Sequence, residues 1–206
     1  MKRPAYRRLG VDERKRQLLE RGADLFARYS YDELSMRKIA REAGISKALL
    51  YHYFPSKQAF FRATLEQAAE ELRARTEPDP DLPPLDQLRG SLDGFLALIE
   101  ENALAYRKLM QSATSVPEVN ELVNEIRHRT ADRILAGLYP EEVPSSARIA
   151  VHGWLWFMDG ACLQWIEQND LGREELRDQL LGTLLGALTA ADALPEATVA
   201  ANGFGS

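Results

Sequence analysis

The strongest constraint on the fold is that apolar residues recur at helical spacing along most of the chain. In the first such stretch, Leu18, Leu25, Phe26 and Tyr29 share one face of a helix. The sequence lacks the short runs of Val, Ile and Thr that are typical of strands. The pattern therefore predicts an all-α protein.

Residues that start and stop helices divide the chain into nine predicted segments. Asp12, Ser35, Ser46 and Ser56 are typical N-cap residues, and Gly44 is typical of the position after a helix end. The prolines between residues 77 and 84 exclude helix interior there and predict a loop between two domains. The predicted helices span about 13–29, 36–43, 47–53, 57–75, 85–101, 103–114, 117–138, 145–168 and 173–191.

The two parts of the chain differ in charge. Residues 1–60 contain 14 Lys and Arg against 7 Asp and Glu, whereas residues 61–206 contain 12 against 24. The net charge of −5 thus conceals a basic N-terminal part, and residues 1–10 are interpreted as a flexible basic arm. A basic surface suits a phosphate backbone, although charge alone is equally compatible with a solvated end.

The predicted helices 36–43 and 47–53 are joined by Gly44, Ile45 and Ser46. A turn of this length is the helix-turn-helix geometry, in which the second helix enters the major groove of DNA. The pattern predicts base contacts from Lys47, Ala48 and Leu49. It predicts backbone contacts from Ser35, Arg37, Ser46, Tyr51, His52, Tyr53 and Lys57. The alternative is a purely structural helix pair, in which the serines are caps and Tyr53 is buried.

Residues 12–72, with the motif at 35–54, resemble the DNA-binding domain of the tetracycline-repressor (TetR) family. The features that carry the resemblance are Leu25-Phe26, Ile39-Ala40, Ala43-Gly44-Ile45-Ser46, Leu50-Tyr51-His52-Tyr53-Phe54, Ser56-Lys57 and Phe60-Phe61. The resemblance implies a three-helix DNA-binding domain, with a long fourth helix joining it to a helical ligand-binding and dimerisation domain.

The resemblance also implies a role for each residue of the motif. Bases would be contacted by Arg37, Lys47, Ala48, Leu49 and Tyr51, and phosphates by Ser35, Ser46, His52, Tyr53 and Lys57. Many family members have Gly at the position of Ala48 and Thr or Ser at that of Leu49. The operator sequence therefore stays open.

Residues 85–192 are predicted to bind an effector and to dimerise. Aromatic and sulfur-containing side chains that could line an apolar pocket are Phe95, Tyr106, Met110, Trp154, Phe157, Met158, Cys162 and Trp165. Candidate polar groups are Asp159, His152 and Gln164. For each of these residues the alternative is ordinary core packing or a dimer contact.

Small residues predict where two copies meet. Gly182, Gly186 and Ala190 are four residues apart and allow close approach of another helix. Together with Gly153 and Gly160, they could form a four-helix interface across a two-fold axis, so the last two predicted helices are expected to make a homodimer. The alternative is a packing face within one chain.

Other classes of function have little support in the sequence. A single cysteine cannot form a disulfide within the chain. The histidines lack metal-ligand spacing, and neither a phosphate loop nor a catalytic triad is recognisable, so neither a cofactor, a metal nor catalysis is expected. Without an apolar run long enough to span a membrane, the chain is expected to be cytoplasmic. Residues 193–206 are expected to be a disordered tail.

The favoured hypothesis is a dimeric, ligand-responsive repressor of a palindromic operator, released by a small hydrophobic effector. Two alternatives remain open. One is a helical small-molecule carrier or enzyme without DNA affinity. The other is a DNA-binding protein whose C-terminal domain only dimerises.

Overall fold

A computed structural model describes residues 11–195, of which 79% are helical, in nine helices and without a strand. The helices are α1 (Val11–Arg28), α2 (Met36–Glu42), α3 (Lys47–Tyr53), α4 (Lys57–Arg75), α5 (Pro84–Glu101), α6 (Ala103–Ser115), α7 (Pro117–Leu138), α8 (Ser145–Gln168) and α9 (Arg173–Ala190). The predicted all-α class is confirmed. The predicted basic arm, residues 1–10, lies outside the described residues.

Side-chain caps fix the starts of three helices. The hydroxyl oxygens of Ser35, Ser46 and Ser56 accept hydrogen bonds from backbone N–H groups three residues later, at 3.2, 3.1 and 3.0 Å. Gly44 adopts a φ of 67°, a left-handed conformation that costs glycine little. These four predictions are confirmed. The prediction for Asp12 is wrong, because Asp12 lies within α1.

The chain divides into two compact units, residues up to 68 and residues from 69 onward, and α4 contributes to both. In the first unit, α1, α2, α3 and the first turns of α4 enclose a small core. Its most buried members are Leu25, Ile39, Leu50 and Phe60. Because this core is small, each apolar contact made by the short helices α2 and α3 is important for the stability of the first unit.

Gly22 lies where α1 packs closely against α4. A Cβ atom at this position would lie 2.6 Å from Thr64 Oγ1 and 2.7 Å from Phe60 Cζ. The Thr64 hydroxyl is buried and donates to the Phe60 carbonyl, so it is already held in place. The packing of α1 on α4 therefore requires glycine here.

The second unit packs α5, α7, α8 and α9 around a larger core. The Nε1–H of Trp154 donates to the Leu180 carbonyl at 2.8 Å, which ties α8 to α9. Beyond α9, Ala193 is buried and its carbonyl accepts a hydrogen bond from the Tyr139 hydroxyl. The ordered chain thus continues past the predicted start of the tail, and residues 196–206 lie outside the described part.

Candidate nucleic-acid interface and the helical domain

The helix pair α2–α3 is held from within by apolar contacts and at its ends by caps. Ile39 of α2 and Leu50 of α3 are fully buried. The backbone N–H of Ile45 donates to the Ala40 carbonyl at 3.0 Å, which closes the turn. With its inward side fixed, α3 presents the opposite side to solvent.

Most of the predicted contact residues lie on the exposed surface of this pair. The exposed ones are Ser35, Arg37, Ser46, Lys47, Ala48, Tyr51 and His52. Leu49 is half-buried. Tyr53 is also half-buried and packs against the core of the first unit, while its ring contacts that of His52 edge to face. Tyr53 thus has a structural contact that the other α3 residues lack.

Lys57 is engaged within its own unit. Its Nζ donates to the Tyr31 carbonyl at 3.0 Å and lies 3.9 Å above the centre of the Tyr31 ring. These contacts tie the start of α4 to the connector between α1 and α2. The predicted phosphate contact of Lys57 stays a prediction.

The sequence interpretation passed over one exposed cation of α2. Arg41 exposes 72% of its side chain and pairs with its neighbour Glu42, at 3.1 Å. It lies four residues after Arg37, so both guanidinium groups project from the same side of the helix. This four-residue spacing from Arg37 could have identified Arg41 as a candidate contact residue from the sequence. Lys38, by contrast, is held 3.5 Å above the Tyr29 ring.

A capped helix-turn-helix whose second helix exposes Lys47, followed in the chain by a helical second unit, defines the class of helix-turn-helix transcriptional regulators. Comparison with family models agrees. Residues 18–64 match the bacterial regulatory proteins of the tetR family, and residues 84–186 match a tetracyclin repressor-like C-terminal domain. The chain belongs to the TetR family of DNA-binding transcriptional regulators.

Solved and curated relatives support this membership. A tetR-family regulator from Streptomyces coelicolor shares 30% identity and a TM-score of 0.76, over 90% of this chain and 84% of that one. The transcriptional activator FasR of Mycolicibacterium smegmatis is 32% identical over 51% of this chain and 49% of its own. The repressor KstR of Rhodococcus jostii is 23% identical over 68% of this chain and 66% of its own. The relatives thus include both an activator and a repressor.

The predicted effector residues divide between the interior and the surface of the second unit. Trp154, Met158, Cys162 and Trp165 belong to the packed core, and Phe157 is exposed. The remaining three, Phe95, Tyr106 and Met110, are buried or half-buried. The predicted stripe on α8 is therefore a core face, with Phe157 at its margin.

A carboxylate ties three helices together inside this unit. Asp159 of α8 accepts hydrogen bonds from Tyr106 of α6 at 2.8 Å and from Arg127 Nε of α7 at 2.6 Å. Arg127 also donates to Asn124, at 2.7 Å, and its guanidinium lies 3.9 Å above the ring of Trp156. Arg127 and Asp159 are thus paired with each other, which compensates the free energy that burial of an unpaired charge would cost.

Burial changes the acidity of two neighbouring groups. It raises the pKa of the Tyr106 hydroxyl, and the negative charge of Asp159 raises it further. Burial also raises the pKa of the Cys162 thiol to about 12, again with a contribution from Asp159. Both groups are therefore neutral at physiological pH.

Two histidines that are distant in sequence meet between α7 and α8. The ring centres of His128 and His152 are 5.2 Å apart, edge to face. Within the range 13–195, however, His, Cys, Asp and Glu side chains do not come together in groups of three that could hold a metal ion. The pair is a contact of the helix interface. In the same range, each helix is too short or too polar to cross a membrane.

An open cleft of about 630 Å³ lies between the C-terminal half of α8 and the first turns of α9. Trp156, Phe157 and Trp165 give it aromatic walls. The Nε1–H of Trp165 donates to the Leu171 carbonyl at 2.7 Å, so this ring is fixed. Of the predicted effector residues, Phe157, Trp165 and the candidate polar group Gln164 line this cleft.

The outer face of α8 and α9 combines small and apolar residues. Gly153 and Gly160 of α8 and Gly182 and Gly186 of α9 are all exposed. A Cβ atom at any of the four would meet nothing within 4 Å among the described residues. On the same side, Ile149 exposes 76% of its surface. The face is open to another helix.

Proposed function

We propose that this regulator is a ligand-responsive repressor that binds a palindromic operator as a dimer and is released by a small hydrophobic effector. The observation that carries the proposal is the exposed surface of α3 around Lys47, held in place by the Ser46 cap and the buried Leu50. Such a helix can enter a major groove without rearrangement of its own unit.

On this surface, Lys47 would donate to guanine, and Ala48 and Leu49 would contact thymine methyl groups. Arg37 and Arg41 would approach the bases or the backbone from α2. Tyr51 and His52 would contact flanking phosphates, with Ser35 and Ser46 near the backbone. Lys47 Nζ lies 5.4 Å from the centre of the Tyr51 ring, so these two side chains occupy neighbouring positions.

Dimerisation follows from the limited reach of one short helix. The seven residues of α3 can contact only a few base pairs, and two copies are needed to bind half-sites about one helical turn apart. We assign the dimer contact to the outer face of α8 and α9. Its exposed glycines allow close helix packing, and burial of Ile149 and Trp156 would stabilise the dimer.

We infer that the effector binds in the second unit and favours the dimer conformation that does not fit the operator. A ligand can shift this equilibrium only by binding one state more tightly than the other. Repression follows if the bound dimer covers a promoter. A protein with this role would work in the cytoplasm, where the bacterial chromosome lies.

A selection experiment tests the DNA-binding part. The full chain is incubated with a random-sequence duplex library, and bound duplexes are amplified and sequenced. We expect enrichment of a two-fold symmetric site whose half-sites lie in successive major grooves on one face of the duplex. Lys47→Ala should relax the preference at one base pair of each half-site. Lack of enrichment, or an asymmetric site, contradicts the proposal.

A second candidate is a DNA-binding dimer without an effector. It is favoured by one observation, the close packing of the α8 stripe, in which Trp154, Met158, Cys162 and Trp165 belong to the core. A thermal-shift screen with hydrophobic, cationic and anionic compounds separates the two. A saturable rise in melting temperature that accompanies loss of operator binding supports the effector, and its absence across the screen supports the second candidate.

A further inference from the structure

We propose that His128 of α7 and His152 of α8 bind a divalent transition-metal ion such as Zn²⁺, with the carboxylate of Asp132 as a third ligand. The two imidazole rings are distant in sequence but meet in the structure, where their ring centres are 5.2 Å apart. Imidazole nitrogen is a preferred ligand of zinc, copper and nickel ions. Binding of the ion would use none of the residues assigned to DNA.

The separation of the two rings is that expected for a shared ion. Two imidazoles that bind one tetrahedral ion at nitrogen–metal distances of about 2.0–2.1 Å have ring centres about 5 Å apart. The interplanar angle of 87° is compatible with this arrangement, because each ring can turn about its bond to the metal without displacing the ion. Among the described residues, neither ring has a hydrogen-bond partner, so the ring nitrogens are available as ligands.

The two histidines lie beside the proposed dimer face and not within it. His128 is exposed on α7, and His152 is half-buried on α8. Successive residues of an α-helix are about 100° apart around its axis, so His152 lies about a quarter turn from Gly153 and Gly160 of the dimer face. The site is therefore on the flank of α8 that faces α7.

A carboxylate is available on the same side of α7. Asp132 is exposed and lies four residues after His128, about one turn along the same face of the helix. Among the described residues it has neither an ion pair nor a hydrogen bond, so its side chain is free to rotate toward the rings. Rotation is required, because the three side chains do not yet converge in this structure. Two imidazoles and one carboxylate are a known ligand set of Zn²⁺, with water in the fourth position.

Two arginines near the rings are held by other partners. The guanidinium of Arg127 pairs with Asp159 at 2.6 Å, which balances its charge. The guanidinium of Arg148 donates to the Val143 carbonyl at 3.1 Å, on the loop between α7 and α8. These contacts limit the repulsion between the two arginines and a divalent ion, and the carboxylate of Asp132 attracts the ion.

The test is a calorimetric titration of the full chain, without DNA and without a histidine tag. We expect Zn²⁺ to bind saturably at one ion per chain and to raise the melting temperature, since an ion that binds only the folded chain stabilises it. Mg²⁺ at the same concentration should do neither, because it prefers oxygen ligands. Absence of saturable Zn²⁺ binding overturns the proposal. A ratio of one ion per two chains also overturns it, because a second copy would then supply ligands.

Variants identify the ligands. His128→Asn and His152→Asn should each weaken Zn²⁺ binding at least about tenfold, and Asp132→Asn about tenfold, since loss of even a supporting group of a metal site has an effect of this size. His52→Asn is the matched control, because it removes the remaining histidine of the chain and should leave Zn²⁺ affinity unchanged. If the control loses as much affinity as His128→Asn, or if any of the other three variants binds Zn²⁺ like the original chain, the proposed ligand set is wrong.

The absorption spectrum of bound Co²⁺ gives a second readout, one that reports coordination geometry. Four-coordinate Co²⁺ absorbs visible light much more strongly than the six-coordinate ion in water, so the spectrum distinguishes a built site from loose association. We expect strong bands with the original chain and weak bands with His128→Asn, whose helix content is checked by circular dichroism. Weak bands with the original chain overturn the proposal.

Discussion

Individual side chains in the first unit differ in how free they are to contact DNA. Lys47 is exposed on α3, whereas Lys57 already donates to the Tyr31 carbonyl and covers its ring. An ammonium group has three donors, so Lys57 could still approach a phosphate. Its contacts in the structure are nevertheless those of a residue that positions α4.

Lys57→Met tests that role. Removal of the ammonium group should lower the free energy of unfolding by about 1 kcal/mol, because the Tyr31 carbonyl loses a charged donor and the ring loses its cation. If the residue only positions α4, the slope of log affinity against log salt should not change. A slope whose magnitude falls by about 1.8, which is about 0.9 for each subunit of the dimer, indicates a lost phosphate contact instead.

The reactivity of the Cys162 thiol measures how accessible the interior of the second unit is to solvent. The thiol is fully buried and its pKa is raised to about 12, so it is neither accessible nor ionised near neutral pH. We expect an aromatic disulfide reagent to label it only after denaturation. The thiolate fraction in the native chain should also remain low up to about pH 10. Fast labelling of the native protein at pH 8 would show that the core around α8 opens readily.

At the scale of helices, close approach at Gly22 sets the packing of α1 on α4. Gly22→Ala places a methyl group within 2.7 Å of Thr64 and Phe60, and overpacking of this kind costs about 1–3 kcal/mol. Gly90→Ala is the control. Gly90 is an exposed residue of α5, and an added methyl group there meets nothing within 4 Å among the described residues. It should stabilise by about 0.5–1 kcal/mol through helix propensity.

Chemical denaturation of the two glycine variants gives the comparison directly. Opposite signs of the change support the packing account. If Gly22→Ala leaves the free energy of unfolding unchanged or raises it, α1 and α4 can move apart to admit the methyl group. The close contact at Gly22 would then not contribute to stability.

Helix positions could be predicted closely from the sequence, and the roles of single residues less well. The predicted bounds of α4, α7 and α8 agree with the structure, because Ser56, Pro117 and Pro144 give local start signals. Periodicity also identified the apolar stripe of α8. It could not show whether the stripe faces a core or a cavity, since the two have the same spacing.

Contacts between distant segments explain the remaining differences. The bond from Lys57 to Tyr31 joins α4 to the connector between α1 and α2, and the bond from Arg127 to Asp159 joins α7 to α8. No local signal distinguishes such a lysine or aspartate from a solvated one. Arg41 differs, because its spacing from Arg37 was visible in the sequence.

At the scale of the whole molecule, the account requires two copies. Gly186→Arg tests the assigned face, because its side chain projects from an exposed position where nothing within the described chain opposes it. We expect a folded monomer with unchanged helix content and weakened operator binding. Gly90→Arg, at an exposed position of α5, should remain dimeric. If both variants stay dimeric, the two-fold contact lies elsewhere on the chain.

The most direct measurement is the affinity of the full chain for its selected duplex at several salt concentrations, with Lys47 and Tyr51 both replaced by alanine. Tyr51 is chosen over Tyr53 because Tyr53 also packs in the core. Lys15→Ala is the control, an exposed lysine of α1 in the same unit. The account predicts a loss of at least about 30-fold for the double variant, with a shallower salt dependence, and little change for the control. Unchanged affinity of the double variant would show that α3 does not contact the DNA.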